Sequence, residues 1–143
     1  MIIAPEKYIH LRLVTTPRVA RICGFQVYPI AVPRTGASLP FLVYRRTNVM
    51  RDRELGFGPI FCPVVGIQIA AWATSYDTAR ELADEVRLCL DGNTGTMANA
   101  TIQDMRLVSE TDDFLDPTTT GAQLPPAYEV RSLYQCRWQE ATE

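Results

Sequence analysis

The chain has 143 residues and a formal net charge of −2. That length suits one domain spanning residues 1–143, which buries roughly 68–70% of its unfolded surface without disulfide staples. The near-balanced charge provides no general attraction to nucleic acid or to an anionic membrane. No run approaches the roughly 20 apolar residues needed to span a bilayer. MIIAPEKYIH lacks the basic head and apolar core of a signal peptide, so a soluble chain made in the cytoplasm is expected.

In chain order, Pro5 followed by Glu6 marks a helix start, and a short helix from about 5 to 14 would turn Ile9 and Leu13 inward. A further turn of helix is predicted from Thr16–Pro17 to just before Gly24. FQVYPIAVPRTGASLP then reads as an extended connection with at most a short edge strand near 25–32. Residues 39–50 alternate as a strand, with Phe41, Val43 and Arg45 against Leu42, Tyr44 and Arg46. RDRELGFGP at 51–59 is a charged connection longer than a tight hairpin turn.

Residues 64–92 carry the firmest local signals. Val65, Ile67, Ile69, Ala71 and Ala73 share one strand face, and the opposite face (Gly66, Gln68, Ala70, Trp72) is also rather apolar, so one is expected to lie under a helix and the other against a second layer or a neighbouring subunit. Ser75 is the predicted N-cap of a helix over about 76–91, with Asp77 in its first turn. Ala79, Leu82, Ala83, Val86 and Leu90 form a single stripe. Arg80 with Asp84 and Arg87 with Asp91 place opposite charges one turn apart. Gly92 sits where a left-handed cap ends the helix.

After the turn-rich DGNTGT, a strand from about 100 to 111 is predicted from an imperfect alternation, and 112–126 (DDFLDPTTTGAQLPP) reads as an exposed loop. The last strand alternates most cleanly. Tyr128, Val130, Ser132, Tyr134, Cys136 and Trp138 face one way, and Glu129, Arg131, Gln135, Arg137 and Gln139 the other. The order α–β–β–α–β–β implies an α+β fold, an antiparallel sheet packed by one main amphipathic helix and a short N-terminal helix.

Candidate chemistry is sparse. Cys23, Cys62, Cys89 and Cys136 form no C-x-x-C pair and sit beside apolar residues, as buried free thiols do. His10 is the only histidine and reads as a surface or helix-packing side chain. No serine lies in a nucleophile elbow. Gly56-Phe57-Gly58 is not followed by a helix start, so it reads as a turn presenting Phe57 and not as a phosphate cradle. Asp112, Asp113 and Asp116 lack calcium-loop spacing and read as solvated carboxylates, or as residues facing a partner or a DNA channel. Arg45, Arg46, Arg51 and Arg53 are interleaved with Asp52 and Glu54, which suits a solvated strand or intersubunit ion pairs better than a nucleic-acid strip. No catalytic, cofactor or metal site is expected.

VYPIAVPRTGASLPFLVYRRTN, VVGIQIAAWATSYDTARELADEVRLCLDG and YEVRSLYQCRWQE, in that order and spacing, resemble the tail completion (tail terminator) proteins of long-tailed bacteriophages. The resemblance covers about residues 13–139. It implies a non-enzymatic virion subunit at the tail–neck junction. Copies would form a six-fold ring that stops tail-tube growth, touches the tube and the neck (stopper) proteins, and lets genomic DNA through without specific binding. An adjacent head–tail joining role is the nearest alternative, and a small non-catalytic ligand-binding domain the next. On this reading Arg51, Arg53, Glu54, Leu55 and Phe57, with Asp112, Asp113, Phe114 and Asp116, are the candidate interface residues.

Overall fold

A computed structural model describes residues 4–32, 38–50, 53–54, 58–59, 63–115 and 127–139. Helices α1 (Pro5–Thr15) and α2 (Pro17–Cys23) each open with proline at a first helical position, where its missing N–H leaves no bond unmade. Thr16 joins them, its hydroxyl donating to the Arg12 carbonyl at 2.6 Å and lying 3.1 Å from Cys89 Sγ.

The strands follow as β1 (Val27–Pro29), β2 (Phe41–Met50), the small hairpin β3 (Arg53–Glu54) and β4 (Gly58–Pro59), and β5 (Val64–Ala73). After helix α3 (Tyr76–Leu90) come β6 (Gly95–Met97), β7 (Ala100–Leu115) and β8 (Ala127–Gln139). Six of them form one sheet in the order β1-β2-β5-β8-β7-β6. The α+β reading therefore holds. Neighbours from β2 to β6 run antiparallel as expected, and β1 adds a single parallel pair at one edge.

All three helices lie over one face of this sheet and close a continuous core with it. Ile9, Leu13 and Val19 from the first two helices meet Leu82, Val86 and Leu90 of α3 above Ile67, Ile69, Val130, Tyr134 and Trp138. Register explains the division: Ile67 pairs with Arg46 and Tyr134, Ala71 with Leu42 and Val130, and paired residues point to the same side. Burial pushes the Cys23 thiol up to about 11 and the Cys136 thiol to about 12, so both are inert thiols. Cys62 lies outside the described residues.

Helix α3 ends as its sequence dictates. Ser75 accepts a hydrogen bond from the Thr78 N–H at 3.3 Å, and Gly92 takes φ 75 just past the last turn. Replacing Ser75 by alanine should cost about 1 kcal/mol, read as a lower urea midpoint at unchanged slope. An unchanged midpoint would mean that packing alone holds that helix end.

One expectation needs correction. Residues 112–115 are not loop: β7 continues to Leu115, its register shifting between Ile102 and Asp104 and again between Leu107 and Ser109. These two bulges break the alternation in the sequence, which makes the strand look short and imperfect there. No described helix lies over the second sheet face, the one expected to meet a second layer or a neighbouring subunit. On it Gly66 and Ala70 are buried, while Gln68 and Trp72 are half-buried. A Cβ at Gly66 would displace the side-chain oxygens of Asn48 and Thr47, where β2 makes its own bulge.

Candidate assembly interface

The sequence-predicted interface residues form two groups, one in the 51–59 connection and one at the end of β7. Arg53 and Glu54 form β3, paired with Pro59 and Gly58 of β4 as a two-stranded sheet of its own within the 51–59 connection. Arg51, Leu55 and Phe57 lie outside the described residues, as does Asp116. Asp112, Asp113 and Phe114 sit at the other end of the strands. Register places Val64, where the hairpin returns, level with Arg137 and Asp104, whereas Ala73 is level with Tyr128 and Phe114. At 3.3 Å per residue those two levels are roughly 30 Å apart along the sheet.

Because β7 is pleated, its acidic residues split between faces. Glu110 and Asp112 pair with Ser132 and Val130 and so face α3. There the Tyr76 hydroxyl donates to Asp112 at 2.8 Å, and Arg80 reaches Glu110 at 2.9 Å and Asp84 at 3.0 Å. Arg80 also lies 3.7 Å from Asp112. Although desolvation works against its charge, hydrogen bonds to Asp84 and Glu110 hold the guanidinium pKa above its ordinary value. Phe114 packs against Tyr128 at 4.8 Å between ring centres. These residues are therefore a strut between helix and strand, and not a cation loop.

Asp113 points to the open face, opposite Glu129. Glu129 is buried to 3% exposure and forms an ion pair with Arg131 at 2.6 Å, whose alignment falls short of a good hydrogen bond. Burial raises the Glu129 carboxyl above its usual range. Arg131 pulls it partly back, and Asp113 adds to the rise. Folded protein thus keeps this proton to a higher pH than unfolded chain does. The contribution to stability is full below the unfolded value and is lost as pH rises through the folded one. Glu129→Gln should flatten the stability curve from the ordinary carboxylate range upward relative to the parent chain. Parallel curves would show that Arg131 compensates fully.

Other features of this face are not legible in the sequence. Tyr28, Phe41 and Trp72 form a row of rings at 6.2 and 6.5 Å centre to centre, running from the β1 edge into the sheet. Only the register of three strands brings them together, although the alternation in β2 and β5 already puts Phe41 and Trp72 on outward positions. His10 packs its ring against Tyr44, with Nδ1 3.4 Å from the hydroxyl, in agreement with a packing role. Among the described residues no group of three or more His, Cys, Asp or Glu is placed to hold a metal. No described helix is long and apolar enough to cross a membrane.

Comparison with known proteins adds three findings. The family model described as "Tail completion protein gp17" matches residues 7–124. No curated protein sequence matches significantly. A chain from the virion of a native gene transfer agent particle superposes with a TM-score of 0.72 at 15% identity, covering 93% of this chain and 92% of that one. At that identity the likeness speaks for the fold.

Proposed function

The chain belongs to the tail completion protein gp17 family, which makes it a structural component of a phage tail within the virion, and from that premise we propose that it is the tail terminator. Six copies close into a ring on the head-facing end of the tail tube and present a second surface to the neck proteins. The observation that carries this reading is the family match over residues 7–124.

The mechanism is one of shape. One ring face is complementary to the last tube layer, while the other does not resemble a tube subunit, so no further tube protein adds. The 51–59 segment, with Arg51, Arg53, Glu54, Leu55 and Phe57, is the element we assign to the tube. The β7 end with Asp112, Asp113, Phe114 and Asp116 is assigned to a neighbour. Carboxylates that reach the channel repel phosphate, so genomic DNA slides through without sticking. Nothing in this role requires bond chemistry or a cofactor.

Changing Leu55 and Phe57 to aspartate should weaken co-sedimentation of the protein with purified tail tubes roughly thirty-fold, the effect of losing about 2 kcal/mol at an aromatic anchor. Unaltered binding would remove the hairpin from the tube contact. Strong binding to isolated neck or head connectors, with none to tubes, would favour the adjacent joining role.

A further inference from the structure

Among the described residues, the sheet ends in two bare strand edges of complementary character. On β7, pairing with β6 stops at Ile102. Just beyond, the Met105 carbonyl accepts from the Gly92 N–H, and the Leu107 N–H donates to Asp91 Oδ1. From Val108 to Phe114 every residue is exposed, and none pairs on the outer side among the described residues. On β2, strand β1 covers only Leu42 to Tyr44. At Ile30 the backbone turns left-handed, with φ 63, and leaves the sheet after a last bond to the Tyr44 carbonyl. Among the described residues, 45–50 then pair with β5 alone, and all except half-buried Val49 are exposed. Long bare edges of this kind are templates for another strand.

Charge and apolar surface match across them. The β7 edge is acidic: Glu110 and Asp112 are engaged by Arg80, but Asp113 makes no ion pair among the described residues and faces the Glu129–Arg131 pair. An additional cation is what that position lacks. The β2 edge carries exposed Arg45, which pairs in register with Gln68 on the same open face and has no ion pair among the described residues. Met50 on one edge, and Val108 and Phe114 on the other, are 56%, 49% and 46% exposed.

We propose that these edges are two halves of one head-to-tail contact between copies of this chain, residues 108–114 of one copy pairing antiparallel with residues 45–50 of the next and Asp113 facing Arg45. The inference rests on the ring reading and specifies how its subunits join. Direction follows from topology: β2, β5, β8 and β7 alternate, so β2 of a copy added in the same sense runs opposite to β7. The two edges are offset along the strands, because Asp113 is level with Phe41 and not with Arg45. Such a stagger closes when the strands tilt against the ring axis, as in a barrel. A heterologous contact of this type closes into a ring where a two-fold edge pairing would stop at a dimer.

Cross-linking tests it on tails assembled with full-length variants. Arg45→Cys together with Asp113→Cys in one chain should give, after mild oxidation, a ladder of covalent multimers. A mixture of the two single variants should give dimers only, and each single variant alone no more than the parent chain. Charge reversal gives a second readout. Arg45→Asp or Asp113→Arg should each lower incorporation into tails at least tenfold, and the double reversal should restore it. The proposal is overturned by self-dimers of the Asp113→Cys chain, by no double-variant ladder in tails whose ring is visible by electron microscopy, or by failure of the double reversal to rescue. Tails carrying no multimer of the parent chain would remove the ring reading itself, a result distinguishable from those three.

Discussion

Trp138→Ala is expected to destabilise the protein by about 3–5 kcal/mol, the cost of emptying the bulkiest fully buried position in the core. Trp138 is 1% exposed on the helix-covered face, opposite Ile102 of β7. The Arg46 guanidinium lies 5.6 Å above its ring, and Arg46 also bonds Glu6 of α1, its Nη2 2.9 Å from Oε2. Removing the indole would open a cavity under α1 and take away the surface on which that cation rests. Against a total of 5–15 kcal/mol for an ordinary domain, such a loss leaves little margin. Calorimetry should show the melting temperature falling by on the order of 10 °C. Trp138→Phe, which keeps most of the volume, should lose far less. Equal losses for both would point to the indole's polar contacts in place of its bulk.

Arg80→Ala is the second large effect, at about 1–3 kcal/mol, since the guanidinium and Glu110 side chains are each only 27% exposed and the change strands carboxylates around a vacated cation site. Its signature is electrostatic. The deficit should shrink as ionic strength rises, because salt screens the repulsion among Asp84, Glu110 and Asp112. Combining Arg80→Ala with Glu110→Gln should recover part of the loss, as a double-mutant cycle would read. Strict additivity would mean that the 2.9 Å pair contributes nothing to folding.

The legible and illegible parts of this chain divide by the range of the interactions involved. Helix α3 is readable because its cap, stripe and terminating glycine are all local, and Ser75 and Gly92 do what their positions announce. β8 is readable because strict alternation over a covered face leaves one choice of orientation. β7 misleads because its two bulges hide the period. Its acidic end passes for loop since Asp112 gains its partners, Tyr76 and Arg80, only when α3 folds back across the sheet. The ion pair of Arg80 with Asp84 is visible at four residues' spacing, while Glu110, thirty residues away, is not. Strand edges are the extreme case. Whether β2 or β7 ends bare depends on which strands pair beside them, so the complementarity of Arg45 with Asp113 emerges only from the completed topology.

The central claim is that this protein ends the tail. Its most direct test is electron microscopy of particles produced by a phage in which this reading frame alone is disrupted. Overlong tubes, or tails without heads, are the predicted result, with normal length and joining restored when the intact chain is supplied. Tails of ordinary length attached to filled heads in its absence would contradict the account.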